Sequence, residues 1–525
     1  MHLVSELLLE GAVVAAFLVQ VARIARRPVV WRLLREHRAA AAAAALLALP
    51  AVALAVVAAS TSAPLRRAGA GVLAAGLALA AWRARPGYGV RAGLAPGSLG
   101  LGASLDAIDQ RDFYLRQAAR HGPVFKSSQF GRPVLCVVGL DRGRELILRQ
   151  GRHLEGATLP YTRLIPKGAL RYMRAEDHRQ VAGLFRAAIA GTDLAGAEVC
   201  ARNAFRSELR RLADACAGQA VGVRVRDAIE PALFGGMARI LLGLEPGRPE
   251  AEEIRAWMPS LDFARFGGRA WRRRIEAGLD AVTGILRRAA ADASAPLVPP
   301  SALGRIGAAQ PDALGDRTVA ANLVLIFRMS NLDTAGLFEW IAKQLSDHPV
   351  WRERLRAQGR VAGPPPARSL DLGTRIVMET LRLERSEYLY RRAAETFEFG
   401  GYRVPKGWLI RVCIQESHRD PAVFADPTRF DPDRFAARAY GRDEYAPLGA
   451  DTHGCMGTAI IHFLGRLFAE ELALGFDWEV VDDGPLERGT RHWHHWRPSG
   501  RFRIALRPWA EPERSVAASA GAGGA

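Results

Sequence analysis

Helical spacing of apolar residues is the feature that most limits the folds open to this chain. From residue 93 to about residue 510, apolar and polar positions follow the period of an α-helix, and no internal repeat is visible. Strand-like runs are few and short. Because 49% of the 525 residues are hydrophobic and 24% are charged, the chain can bury a large core. The sequence therefore predicts a mainly α-helical fold with small β-sheets, its strands near residues 133–138, 397–404, 409–414 and 502–506.

The first 92 residues differ in composition from the rest. Residues 39–59 are apolar and uncharged over about the length that spans a bilayer, and residues 7–25 and 68–84 form two weaker apolar segments. The loop after the first segment is rich in arginine. By the positive-inside tendency we expect this loop to be cytoplasmic, together with everything after the third segment. We predict a multi-pass region over residues 1–92, a folded domain over 93–510 and a disordered tail over 511–525. Buried or interfacial helices are the alternative for the weaker segments.

Charge and cysteine content limit the partners and the class of protein. The formal net charge is +18, which suits an anionic membrane surface or an acidic protein partner. No basic stripe interleaved with aromatic residues occurs, so we expect no nucleic acid partner. The five cysteines are scattered and form no C-x-x-C pair. We therefore expect neither a zinc site nor a disulfide framework.

Cys455 stands in a glycine-rich loop directly before a long amphipathic helix pattern. Free N–H groups at a helix N-terminus stabilise a thiolate over a thiol, so a cysteine there can bind a metal or attack an electrophile. Gly449 and Gly457 have no Cβ and would let the backbone or a flat cofactor come close to the sulfur. From this segment alone, a buried structural cysteine at a helix start is the alternative.

A glutamate and an arginine upstream form a possible pair. Glu379 and Arg382 lie three residues apart on an apolar helix pattern and therefore share one face, and Arg434 is a second arginine that could lock a buried carboxylate. The spacing alone has little meaning. It recurs four times where we expect exposed surface pairs, at Glu176/Arg179, Glu208/Arg211, Glu252/Arg255 and Glu353/Arg356.

Four polar residues interrupt another long apolar helix pattern: Ser330, Asn331, Asp333 and Thr334. Residues three and four apart lie on the same helix face, so these side chains form a polar notch. Polar groups in an apolar helix cost free energy unless they are satisfied, which indicates ordered water or a ligand. The alternative is a core helix bent by back-bonding of its serine and threonine side chains.

These three elements, in this order and at these separations, resemble the cytochrome P-450 superfamily of haem-thiolate enzymes, over most of residues 93–510. The family's cysteine loop reads F-G-x-G-x-[HR]-x-C-x-G. Four positions match and two depart, with Leu448 in place of phenylalanine and Asp451 in place of glycine; the matches are Gly449, His453, Cys455 and Gly457. The resemblance implies the P-450 fold and haem b, iron protoporphyrin IX, with Cys455 as the axial thiolate. It also implies that His453 donates to a haem propionate and that Glu379, Arg382 and Arg434 form the family's structural triad.

The notch resembles the family's oxygen-activation pattern, [AG]-G-x-[DE]-T. The resemblance implies a proton relay through Asp333 and Thr334, while Asn331 replaces a glycine and is expected to contact oxygen or substrate. In the family's H-x-x-x-R pattern for the haem propionates, His178 matches but Ala182 replaces the arginine. We expect part of that role to pass to two arginines further along the chain, Arg391 or Arg392.

The resemblance implies a membrane-anchored, bacterial-like monooxygenase, with its catalytic domain in the cytoplasm, that inserts one oxygen atom from O2 into a lipophilic small molecule. Electrons would come from a separate ferredoxin or flavoprotein reductase, because no reductase-like segment remains. The alternatives are other haem-thiolate chemistry (isomerisation, dehydration, oxidative coupling or peroxygenase activity) and a non-catalytic haem-binding membrane protein. The expected substrate contacts are Leu159, Tyr161, Leu164, Phe327, Asn331 and Leu389.

Overall fold

Apart from residues 26 and 27, the described part of the chain begins at residue 91, after the apolar N-terminal segments. The structure is a computed structural model, and it describes residues 26–27, 91–129, 132–156, 165–170, 173, 175–217, 221–261, 269–292, 294, 296–298, 300–359, 370–384, 389–449, 454–487 and 496–509.

Helices make up most of the described residues, as the spacing of apolar residues predicts. The first eight are α1 (Leu101–Asp109), α2 (Phe113–His121), α3 (Leu140–Gln150), α4 (Ala175–Ala190), α5 (Leu194–Cys216), α6 (Arg226–Met237), α7 (Pro249–Trp257) and α8 (Arg269–Ala291). The following seven are α9 (Ala302–Ala309), α10 (Arg317–Asp347), α11 (Pro349–Gly359), α12 (Leu372–Glu384), α13 (Ile414–Ser417), α14 (Arg434–Ala437) and α15 (Thr458–Gly475).

Short polar side chains cap the N-termini of three helices. Asp193 accepts from the Gly196 N–H at 2.8 Å before α5, and Asp316 accepts from the Thr318 N–H at 2.7 Å before α10. Ser301 does the same for α9. Each cap satisfies one of the N–H groups that a helix start leaves without a partner. Local sequence therefore sets where these helices begin. The longest helix, α10, continues unbroken through the polar notch.

A five-stranded mixed sheet lies beside the helices. Its order is β1 (Val124–Gln129), β2 (Arg132–Val137), β7 (Leu409–Val412), β4 (Leu389–Ala393) and β3 (Leu154–Gly156), and only the β2–β7 pair is parallel. Three two-stranded sheets complete the strands that the structure describes: β5 (Phe397–Phe399) with β6 (Tyr402–Val404), β8 (Phe476–Asp482) with β11 (Arg503–Pro508), and β9 (Leu486–Glu487) with β10 (Arg497–Pro498).

The main core brings three distant helices together. The rings of Phe338 on α10 and Phe468 on α15 stack with centroids 4.9 Å apart, and Phe205 on α5 packs against both. Where α12 crosses α15, a Cβ on Gly465 would lie 2.9 Å from Val377 Cγ2, so the glycine allows the two helices to approach. This packing fixes α15, which follows Cys455, against the helix that carries Glu379.

The predicted multi-pass membrane location is wrong. Among the residues that the structure describes, no helix is long and apolar enough to cross a bilayer. The predicted spans, residues 7–25, 39–59 and 68–84, lie outside the described residues, as does the predicted tail 511–525. The predicted strand at 409–414 is also shorter than expected, because β7 ends at Val412 and α13 begins at Ile414.

Candidate active site

The cysteine loop is held by backbone hydrogen bonds and ends at a helix N-terminus. Gly449, with φ of 78°, donates its N–H to the Ala446 carbonyl, and the Cys455 N–H donates to the Leu448 carbonyl at 2.8 Å. The Thr458 hydroxyl donates to the Cys455 carbonyl at 2.8 Å as α15 begins. Cys455 therefore lies three residues before the first residue of α15, close to a helix N-terminus whose N–H groups favour a negative charge.

Cys455 differs from the other cysteines in its accessibility. All five lie in described residues; three are buried, Cys200 is half-buried, and Cys455 alone is exposed. A Cβ built on Gly457 would come within 3.9 Å of the Cys455 sulfur, so glycine leaves that side of the sulfur open. An exposed sulfur with a clear approach at a helix N-terminus fits the thiolate ligand that haem iron requires.

Two neighbouring residues of the polar notch of α10 differ in solvent exposure. Asp333 is exposed, whereas the neighbouring Thr334 is buried. Serine and threonine back-bonding accounts for part of the notch only, because Ser330 Oγ donates to the Phe327 carbonyl at 2.9 Å while no such bond is formed by Thr334 within the described residues. The Thr334 hydroxyl therefore stays available to a ligand or water.

Asn331 is fixed by one half of its amide. Its Nδ2 donates to the Phe327 carbonyl at 2.9 Å, the same carbonyl that accepts from Ser330. Its Oδ1 is buried and has no hydrogen-bond partner among the described residues. A buried acceptor without a donor costs about 1–3 kcal/mol, so this oxygen favours a donor from water or a bound molecule.

Glu379 and Arg382 of α12 are brought together with Arg434 of α14. Arg382 donates from Nε and Nη2 to the two carboxylate oxygens of Glu379 at 2.7 and 2.8 Å, and Arg434 Nε donates to Oε1 at 3.0 Å. The Asp431 N–H also donates to Oε1, at 2.9 Å. Glu379 and Arg382 are fully buried, so the carboxylate exchanges its water for four charge-assisted hydrogen bonds.

The two arginines also donate hydrogen bonds from their guanidinium groups to backbone carbonyls of the loop between α13 and α14. Arg382 Nη1 donates to the carbonyls of His418 and Pro427, and Nη2 to that of Arg429. Arg434 Nη1 donates to the Ala425 carbonyl at 2.8 Å. The chain between α13 and α14 is thereby fixed ahead of the cysteine loop, a set of contacts that side-chain spacing in the sequence does not reveal.

His418 links this loop to the cysteine loop. Its Nε2 accepts from the Ala446 N–H at 3.1 Å, and its ring is fully buried. Burial, followed by the positive charge of Arg382, lowers the pKa of His418 to about 3. The ring is therefore neutral at physiological pH, which allows Nε2 to remain an acceptor.

Of the predicted propionate contacts, His178 and Arg391 come close together and Arg392 does not join them. His178 is half-buried on α4, and burial lowers its pKa, with Arg186 and then Arg391 as further causes. Arg391 is buried on β4, whereas Arg392 Nη2 pairs with Glu155 Oε1 at 2.6 Å. Successive strand residues point to opposite faces, so Arg391 and Arg392 lie on opposite sides of β4.

The predicted substrate contacts are only partly described. Leu159, Tyr161 and Leu164 lie outside the described residues, as does the predicted haem contact His453. Phe327 is buried with its ring edge-on to Phe234, at a centroid distance of 5.4 Å. Leu389 is half-buried at the start of β4.

Sequence reasoning missed Asn322, two turns before the notch on α10. Its Oδ1 accepts from the Leu170 N–H at 2.7 Å, and its Nδ2 donates to the carbonyls of Gly168 and Thr318. The side chain is buried and anchors the segment that follows the predicted pocket loop. An asparagine inside an apolar helix pattern was the available indication, because a buried amide needs partners.

The chain is similar to known proteins over about three quarters of its length. A family model described as Cytochrome P450 matches residues 339–499. Abscisic acid 8'-hydroxylase 2 of Oryza sativa subsp. indica is 25% identical over 432 residues, which cover 74% of this chain and 82% of that protein. Among solved structures, the cyanobacterial CYP120A1 with retinoic acid bound has a TM-score of 0.63 at 22% identity, covering 77% of this chain and 96% of its own. A zebrafish cytochrome P450 solved with progesterone has a TM-score of 0.60 at 20% identity, covering 75% of this chain and 98% of its own.

Proposed function

We propose that this chain, which belongs to the cytochrome P450 superfamily, binds haem through Cys455 and inserts one oxygen atom from O2 into a lipophilic small molecule. Its relatives include a named hydroxylase, and the chain is an enzyme of the monooxygenase type. The single observation that carries the residue assignment is the exposed Cys455 at the start of α15, with Gly457 leaving one side of its sulfur clear.

Haem b, iron protoporphyrin IX, is the cofactor we propose. No C-x-x-C pair occurs in the sequence, so covalent attachment of the c type has no basis here. A thiolate-bound haem supplies the activation of O2, because the electron-rich sulfur favours cleavage of the O–O bond. The role of Cys455 is to keep a negatively charged sulfur at the helix N-terminus, where the helix dipole stabilises it.

Asp333 and Thr334 are the residues we propose for proton delivery. The carboxylate is exposed and the hydroxyl of the next residue is buried, so the adjacent pair joins solvent to the interior of the protein. Aspartate can take a proton from water, and the threonine hydroxyl both donates and accepts hydrogen bonds. Asn331 would add a fixed acceptor, its Oδ1, beside this path.

A lipophilic small molecule is the substrate class that we propose. One similar protein is named for abscisic acid, and two similar structures were solved with retinoic acid and with progesterone, three molecules with largely apolar carbon skeletons. Phe327, Asn331 and Leu389 remain the proposed contacts among the described residues. We propose a separate ferredoxin or flavoprotein reductase as the electron donor.

The absorption spectrum of the reduced, carbon-monoxide-bound protein tests the proposal. We expect a thiolate-type Soret band in the parent and in Cys200→Ala, which changes a half-buried cysteine on α5. We expect Cys455→Ala to lose that band. A parent protein that shows no thiolate-type band after incubation with haem would refute the assignment.

A further inference from the structure

One side chain connects the structural triad with the turn that precedes the cysteine loop. His418 directly follows α13 and is fully buried. Its backbone N–H donates to the Ile414 carbonyl at 3.0 Å, and its own carbonyl accepts from Arg382 Nη1 at 2.8 Å. The backbone of His418 is therefore fixed on both sides, and one of the two partners is an arginine of the triad.

Two aromatic rings fix the direction of the imidazole. The His418 ring lies edge-on to Phe424, with centroids 6.0 Å apart, and is tilted against Tyr445 at 5.3 Å. In this orientation Nε2 accepts from the Ala446 N–H at 3.1 Å, whereas Nδ1 is buried without a hydrogen-bond partner among the residues that the structure describes. Burying such a nitrogen costs free energy that an apolar side chain would not cost. The acceptor at Nε2 is therefore what a histidine supplies at this position and a leucine does not.

Ala446 is the first residue of a turn to which the backbone of Cys455 is bonded. The Ala446 carbonyl accepts from the Gly449 N–H at 3.1 Å, which closes the turn. Leu448, inside the turn, accepts from the Cys455 N–H at 2.8 Å. Three hydrogen bonds thus connect the His418 ring, by way of residues 446–449, to the backbone of the cysteine. A displacement of Ala446 would move the Leu448 carbonyl and Cys455 with it.

We propose that His418 is a positioning residue for the iron ligand: it fixes the turn at residues 446–449 and thereby keeps Cys455 where its thiolate binds the haem iron. The proposal rests on the haem binding proposed above. A neutral imidazole suits this task because Nε2 must stay unprotonated to accept from a backbone N–H. Since Arg382 holds the carbonyl of the same residue, the triad is connected to the cysteine loop through His418.

The rate at which the reduced, carbon-monoxide-bound holoprotein loses its thiolate-type band at constant temperature tests the proposal without any enzyme assay. His418→Leu removes the acceptor and leaves the buried Ala446 N–H without its partner, so we expect this variant to lose the band about tenfold faster than the parent. His418→Gln places an amide oxygen near the position of Nε2. It should therefore restore a rate close to that of the parent.

The matched control is Tyr445→Phe. The Tyr445 hydroxyl donates to the Met378 carbonyl at 2.9 Å, so this variant loses a hydrogen bond next to Ala446 but keeps the one from the Ala446 N–H. We expect its urea midpoint to fall while the band is lost at the parental rate.

The proposal is overturned if His418→Leu keeps the parental rate, or if His418→Gln or Tyr445→Phe loses the band as fast as His418→Leu. His418→Asn, whose amide is one methylene shorter than that of glutamine, replaces His418→Leu if the latter does not fold, and should lose the band equally fast. In each of these cases a thiolate-type band in the parent would leave the proposed function standing, whereas its absence would refute that function instead.

Discussion

Thr334 and Asp333 are adjacent on α10 yet differ fully in exposure, which makes their separate roles testable. We expect Thr334→Ala to lower the product formed per reductant consumed, with more hydrogen peroxide released, because the buried hydroxyl no longer carries the proton. The measurement compares NAD(P)H consumption with product. Ser346→Ala, on the same helix but bonded to the Ala342 carbonyl, is the control and should keep the parental ratio. Unchanged coupling in Thr334→Ala would contradict the relay.

His418 should make the stability of the fold depend on pH. The unfolded histidine titrates near its ordinary pKa of about 6.5, whereas the folded pKa is about 3. Above pH 6.5 both states are neutral and the contribution is complete. Below pH 6.5 the histidine takes up a proton in the unfolded state but not in the folded state. The free energy of unfolding therefore falls by up to about 1.4 kcal/mol per pH unit down to pH 3.

Urea unfolding at pH 7.5, 6.0 and 5.0 checks this expectation. His418→Gln keeps a polar side chain that does not titrate, and we expect its stability to fall less steeply with acid than that of the parent. Equal slopes in the two proteins would mean that other groups cause the acid sensitivity.

At the scale of elements, the same three-residue spacing gives two very different contacts. Glu379→Gln removes a buried charge that pairs with two arginines, and we expect a loss of about 3–5 kcal/mol in the free energy of unfolding. Glu208→Gln changes an exposed pair with Arg211 and should cost less than about 1 kcal/mol. Denaturant midpoints of the two variants measure the difference. Similar midpoints would show that the triad is no more important than a surface pair.

Element ends and long helices were predictable from the sequence because caps and apolar periodicity are local. The strand β1 was missed, since its sequence reads as polar. In the fold Lys126, Ser127, Ser128 and Gln129 are buried, and Lys126 Nζ donates to the Ala95 carbonyl. Arg356 was expected at the surface but is buried, where it donates to the carbonyls of Ala473 and Phe476. Such partners are distant backbone atoms, and no pattern of side chains records them.

For the molecule as a whole, the boundary at residue 92 is a prediction that deletion can test. The similar solved structures match 96% and 98% of their own length with 77% and 75% of this chain. Arg27 forms an ion pair with Asp106 of α1 at 2.5 Å. It is partly exposed, so its loss should cost less than about 1 kcal/mol. We expect the chain without residues 1–92 to unfold cooperatively and bind haem; a chain that fails to fold would move the boundary.

The loop between α13 and α14 is held by its carbonyl oxygens, which every amino acid possesses. The identity of the side chains at 425, 427 and 429 therefore matters little to the grip of Arg382 and Arg434, provided the backbone keeps its path. Saturation mutagenesis should find a tolerant stretch of chain directly beside three intolerant residues. The loop backbone would stay fixed while its outward side chains vary. This would allow the surface of the loop to adapt to new docking proteins while the metal-binding end of the molecule stays unchanged.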